Sequence, residues 1–439
     1  MKFTNNFFKS CFTFIAIATI LFSQITTKKL KRRTKSKTVT GANRMEKLSE
    51  PVSKDFDLQT AKNFRDLAGL GYVDTTSATE QLSEIRKGQT MDRKKVSSLF
   101  KILFQQQKWT HIVTKTYGED MDNYCFTIIK NLRYKKMVFS FTGTKTNSQL
   151  LKQFLSSDKG ESYKEGKEYI KIMKYFSDMY NHIKVDLKRY YELHKDDAIT
   201  QYIFVGHSLG GAMASVSIFD FMQENLITKS KISPVLITYG QPRTGNYAFA
   251  NELMKMVPIV QRFFNNYDLI GGVPACVTEN DRCTSEFGKN KLNKKFKKYG
   301  DFYKALSEAE KNKFYPFHFG GLIYIKDNND IIDCQGKSEV AANDICKAEI
   351  SLNSEFHTNY FGYTISNIGN PKEFPYGLKP APQVWGGKQI YKHDLKKKLL
   401  WEEIKNSNFF TRGVNIVGQK LSHHLLHMTG LAHAKKFKK

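Results

Sequence analysis

A long stretch from about Lys167 to Leu193 has no glycine or proline and places apolar residues at roughly helical spacing, which predicts a helix. Before it, Thr110–Lys115, Asn123–Lys130 and Lys136–Thr142 are short runs with the alternation of β-strands. Residues 56–108 carry a helical pattern broken near Gly69–Gly71 and near Gly88. After the long helix, Tyr202–Val205 is a short apolar strand that feeds a turn and a small-residue helix. Ile232–Tyr239 is another strand, stopping at Gly240. Strands that alternate with helices predict an α/β fold, with a mainly parallel central sheet and helices on both faces. No internal repeat is present.

The pattern stops at both ends of the chain. Lys2 and Lys9 precede an uncharged apolar run, Cys11–Phe22, which has the length of a signal-peptide core, and small Ser23 follows. Residues 1–24 are therefore expected to be a signal peptide, placing the protein outside the cell or in an endomembrane lumen. Residues 25–55 are basic and show no hydrophobic period, as in a linker or pro-segment. A single globular domain is expected over 56–370. A basic C-terminal extension covers 371–439, in which Val414, Val417, Leu421, Leu425 and Met428 form one helical stripe.

Composition changes this picture only at the surface. The 439 residues are 40% hydrophobic, enough for one large core, and the formal net charge is +27. The charge is concentrated in runs such as Lys28 to Lys37, Lys289 to Lys298 and Lys435 to Lys439. These read as solvated loops and tails, with an anionic membrane surface as the partner such charge would favour. Nucleic acid is not expected as a partner, given the export signal and the lack of an aromatic single-strand motif. Of six cysteines, Cys11 falls in the signal. Cys276 with Cys283, and Cys334 with Cys346, are short-range disulfide candidates in an oxidising compartment, and Cys125 reads as a buried strand residue. No C-x-x-C pair occurs. His423, His424 and His427 lack a fourth ligand, so neither a metal nor a cofactor is expected.

The chemical signal is Gly206-His207-Ser208-Leu209-Gly210, followed by Gly211. A strand precedes it and a helix rich in small residues follows. The connecting turn is tight enough to need glycines on both sides, and it lifts the serine hydroxyl to the carboxyl edge of the sheet. A serine needs a base, and the base an orienting acid. Asp268, on a loop after an apolar run, suits the acid. His318 and His357 are both candidates for the base, and position alone does not separate them.

These motifs resemble the class 3 lipase family, the fungal triacylglycerol lipase-like α/β-hydrolases, over roughly Asn123 to Gly362. The landmarks occur in order: Val138-Phe-Ser-Phe-Thr-Gly143-Thr144, the serine motif, Thr238-Tyr-Gly-Gln-Pro-Arg243-Thr-Gly-Asn246, Asn265-x-x-Asp268, Phe317-His318, and His357-Thr-Asn-Tyr360-Phe361-Gly362. The resemblance implies a Ser208–Asp268–His357 triad with His318 structural. It also implies a Cys334–Cys346 bridge and an oxyanion hole from the Leu209 N–H and Thr144. The stretch after Thr144, where Leu150, Leu151, Phe154 and Leu155 recur at helical spacing, corresponds to the family's lid. Thr142 departs from the pattern, standing where an arginine is usual. The implied activity is hydrolysis of carboxylic esters of lipids at an interface. Phospholipids, soluble esters or a non-catalytic membrane-binding role remain as alternatives.

Overall fold

A computed structural model describes residues 46–87, 95–118, 123–145, 160–227, 232–268, 270–272, 314, 316–326, 331–334, 350–351 and 355–371, with short pieces at 278–279 and 282–283. The central sheet has eight strands: β1 (Thr110–Thr116), β2 (Cys125–Asn131), β3 (Lys136–Phe141), β6 (Gln201–His207), β7 (Ser233–Tyr239), β8 (Ile259–Asn265), β9 (Leu322–Ile325) and β10 (Ile331–Cys334), in that spatial order. A separate hairpin pairs β4 (Gly160–Ser162) with β5 (Lys171–Met173). From β3 to β9 the neighbours are parallel. The flanking strands β1, β2 and β10 run antiparallel. This is the mainly parallel α/β-hydrolase sheet, closed at each edge by hairpin-connected strands.

The helices α1 (Leu58–Leu70), α2 (Thr75–Arg86), α3 (Lys174–His194), α4 (Leu209–Gln223) and α5 (Tyr247–Met256) fall on both sides. All seven residues of β6 are buried, because its two faces serve two cores. Tyr202 and Phe204 point to the α3–α4 side with Phe139 and Phe221. Ile203 and Val205 point to the α1 side with Val138 and Ile237. Period-two alternation between two apolar environments produces the continuous hydrophobic run seen in the sequence.

Two expectations need correction. The helix expected from Lys167 begins at Lys174. Lys171–Met173 instead pairs as β5, and Ile172 bridges to Gly245, so tertiary pairing overrides the local helical pattern. The basic segment 25–55 is not linker throughout. Leu48 and Val52 are buried in the α1-side core, and two apolar residues in ten positions are too few to show a period. The signal run, the Leu150–Leu155 stretch, Cys276, Cys346 and the C-terminal stripe lie outside the described residues.

Candidate active site

β6 ends in the turn that carries Ser208. The serine has φ 58° and ψ −128°, a positive-φ conformation that a non-glycine residue adopts only when its surroundings enforce it. The flanking glycines explain how the turn closes. A Cβ on Gly206 would lie 2.2 Å from the Gly210 backbone, and one on Gly210 would lie 2.2 Å from the Phe141 carbonyl oxygen. Leu209 is the first residue of α4, so its N–H has no partner within the helix.

His357 Nε2 lies 2.7 Å from Ser208 Oγ. On the other side of the ring, Nδ1 lies 3.0 and 3.1 Å from the two carboxylate oxygens of Asp268. Asp268 is fully buried, and it also accepts the Ile270 N–H at 2.8 Å and the Tyr360 O–H at 3.0 Å. Burial and the adjacent carboxylate push the Tyr360 phenol well above its usual range, so it stays a donor. The loop bearing His357 is tied down from β8. The Asn265 amide donates to the Phe356 and Asn359 carbonyls at 2.9 and 3.0 Å. Buried Arg65 on α1 donates to the carbonyls of Tyr360 and Phe361 while paired with Asp66 at 2.5 Å. Gly240, at φ +55°, clears the space between acid and base. A Cβ there would approach Asp268 Oδ2 to 2.7 Å and His357 Nδ1 to 2.9 Å.

The structure thus brings Ser208, His357 and Asp268 into one hydrogen-bonded line. It keeps His318 out of that line. His318 is buried, and its Nε2 lies 2.6 Å from the Gly271 carbonyl, beneath the loop that follows Asp268. Thr144 follows Gly143 on the exit of β3. A Cβ on Gly143 would fall 2.8 Å from the His207 carbonyl oxygen, so this segment lies against the serine turn. Cys334 is disulfide-bonded, with its expected partner Cys346 outside the described residues. Cys283 lies in a two-residue hairpin with Thr278–Glu279. Among the described residues, no group of His, Cys, Asp or Glu is arranged to hold a metal ion.

Arg65, Asn265 and Tyr360 brace the line, a role that residue type and spacing alone do not mark. Asn265 and Tyr360 fall inside the quoted motifs, so motif context was the available signal. Arg65 had only its place in an apolar helical pattern.

Comparison with known proteins agrees with the resemblance. Residues 138–278 match the family model for Lipase (class 3). A phospholipase A1 of Arabidopsis thaliana, Igamma2, is 35% identical over 105 residues, which is 23% of this chain and 20% of that protein. A lipase of Caenorhabditis elegans is 29% identical over 150 residues, covering 32% of this chain and 38% of the other. The chain thus spans about a fifth to two fifths of the length of these relatives. Among solved structures, a lipase from Rhizopus microsporus var. chinensis is similar at 20% identity, with a TM-score of 0.45, covering 75% of this chain and 99% of that one.

Proposed function

We propose that the protein is a serine hydrolase that cleaves carboxylic esters of lipids, with Ser208 as nucleophile, His357 as base and Asp268 as its orienting acid. The observation that carries this reading is the unbroken Ser208–His357–Asp268 line at 2.7 Å and 3.0 Å on a strained strand-to-helix turn.

In the first half-reaction, Ser208 Oγ attacks the ester carbonyl carbon while His357 Nε2 takes its proton. Asp268, accepting from Nδ1, holds the tautomer and balances the imidazolium. The Leu209 N–H and Thr144 stabilise the oxyanion. Collapse breaks the bond to the alcohol, which leaves with the proton from Nε2, and an acyl-Ser208 ester remains. Water, deprotonated by His357, then attacks this ester and releases the fatty acid, restoring Ser208.

Acylglycerol is the first substrate reading. The relatives named as phospholipases A1 favour glycerophospholipid as the second. Export to an oxidising compartment is supported by the Cys11–Phe22 run and by the disulfide at Cys334, which we pair with Cys346. The plant relatives are named chloroplastic, which makes plastid import the competing destination.

The test is side-by-side hydrolysis of emulsified triacylglycerol, phospholipid vesicles and a short-chain soluble ester, with labelling by a serine-directed phosphonate. Ser208→Ala and His357→Ala should each lose ~10⁴-fold or more in kcat and should not label. His318→Gln should lose stability but still label. An active His357→Ala enzyme would overturn the assignment.

A further inference from the structure

Tyr72 lies in the turn between α1 and α2, before the segment matched by the family model. Its position follows from Gly71. A Cβ there would fall 2.5 Å from the Phe141 carbonyl carbon, so only glycine lets the turn press against the end of β3. The next side chain then reaches over Gly143. A Cβ on Gly143 would sit 1.8 Å from the Tyr72 hydroxyl, so this close approach also requires a bare backbone.

The hydroxyl is held on two sides. It packs directly against the bare Gly143 backbone, and it lies 2.7 Å from His207 Nδ1. His207 Nε2 in turn lies 2.8 Å from the backbone carbonyl oxygen of His357. A carbonyl can only accept, so Nε2 carries the hydrogen. Burial, together with the neighbouring His357, holds His207 well below the usual histidine range and therefore neutral. A neutral ring with its hydrogen on Nε2 has a lone pair on Nδ1, so the Tyr72 hydroxyl is the donor. The two bonds run head to tail, from the Tyr72 hydroxyl through His207 to the His357 carbonyl, and the first polarises the second. The His207 ring also packs against the His357 ring, with centroids 4.7 Å apart.

We propose that Tyr72 is a positioning residue for ester hydrolysis: through His207 it ties the Gly143–Thr144 backbone to the backbone of His357. The oxyanion side and the base side of the reaction centre come from distant parts of the chain. This bridge sets the spacing between them independently of the Asp268 contact. The proposal rests on the hydrolase reading above. A packing role alone would predict loss of stability from removing the phenol, with kcat preserved in whatever remains folded.

The experiment compares full-length wild type, Tyr72→Phe, His207→Asn and the double variant. It measures kcat and KM on a soluble ester, phosphonate inactivation rate, thermal midpoint, and the ¹⁵N spectrum of labelled histidine. Tyr72→Phe should keep KM, while kcat and inactivation rate fall together by ~10–100-fold, as for a sub-ångström misplacement of reacting groups. The double variant should be no worse than the poorer single one, because both break one bridge. The spectrum should show His207 protonated on Nε2, with a hydrogen-bonded Nδ1 that shifts in Tyr72→Phe. Wild-type kcat in folded Tyr72→Phe, additive losses, or a His207 protonated on Nδ1 would each overturn the proposal. If Tyr72→Phe fails to fold, His207→Asn with wild-type kcat overturns it equally. A wild type inert to every ester would sink the hydrolase reading, while the histidine spectrum would still decide whether the bridge exists.

Discussion

Ser208 occupies a conformation that typically costs a non-glycine residue on the order of 1–3 kcal/mol. That cost is met by the packing of Gly206 and Gly210 against neighbouring backbone, which leaves the turn no alternative. Gly240 plays a different part, since it is empty space that the acid–base pair needs. Gly240→Ala would thrust a methyl between Asp268 Oδ2 and His357 Nδ1, in addition to straining a positive φ. We expect kcat to fall ~10²-fold or more, with KM changed little, because the displaced imidazole no longer aligns with Ser208. Steady-state kinetics on a soluble ester check this, and an alanine variant with unchanged kcat would contradict the crowding argument. At this scale, the sequence shows which residue types stand in which motif. Ser208 is legible from its glycines, and His357 from its motif once two histidines compete. The role of Gly240 is not legible, because it depends on which side chains arrive from β8 and from the 355–360 loop. Tyr72 is less visible still, since a tyrosine in a turn has no spacing to mark it.

At the scale of elements, the strands are read closely from pattern. The expected Lys136–Thr142 and Ile232–Tyr239 runs compare with β3 at Lys136–Phe141 and β7 at Ser233–Tyr239. The segment before α3 is misread because its partner strand lies at Gly160–Ser162, behind a polar run with no alternation. What fixes that hairpin against the helical layer is also invisible in a one-dimensional pattern. Buried Asp220 on α4 accepts from Tyr163 at 2.5 Å and Tyr180 at 2.7 Å, and pairs with Lys188. The antiparallel edge carries its own polar residue, His111 on β1. Its Nε2 lies 2.9 Å from Thr114 Oγ1, and its ring meets Phe104 edge-on at 5.9 Å. Burial, with Arg86 nearby, lowers its pKa from the usual 6.5 to about 4. The unfolded chain therefore binds the proton more tightly. The associated stability is present above pH 6.5 and is lost as pH falls through 6.5 toward 4. Between pH 7 and pH 4.5 the wild type should lose about 2 kcal/mol more than His111→Asn, at 1.36 kcal/mol per pKa unit. Urea unfolding at the two pH values measures the difference, and equal losses would show that this histidine titrates normally in the fold.

The molecule as a whole is read least well where polar side chains, and not apolar periodicity, hold a segment. Residues 46–55 run across the beginnings of the parallel strands and are gripped by one side chain from each of three. Lys136 at the start of β3 donates to the carbonyls of Leu48 and Glu50. Gln201 at the start of β6 exchanges two hydrogen bonds with the Val52 backbone, at 2.9 and 3.1 Å. Gln261 on β8 donates to the carbonyls of Ser53 and Asp55. None of these residues looks like a binding group in sequence, and the arm itself reads as a basic linker. Leu48 and Val52 then close the α1-side core. The consequence is a boundary that differs from the one composition suggests. A chain beginning at residue 45 should unfold in denaturant with the midpoint of the full chain. One beginning at residue 57 should lose on the order of 3–6 kcal/mol. Burial of the two apolar side chains, at roughly 1.5–3 kcal/mol each, sets that figure, while the strand-end side chains exchange their hydrogen bonds for bonds to water. Lys136 offers a second readout. Burial holds its ammonium down to about 8, against a usual 10.5, with Glu50 opposing the shift. Removing the arm opens it to water and should return it toward the usual value. Equal midpoints for the two truncations, with Lys136 titrating alike in both, would show that the arm is a passenger on the domain and not its floor.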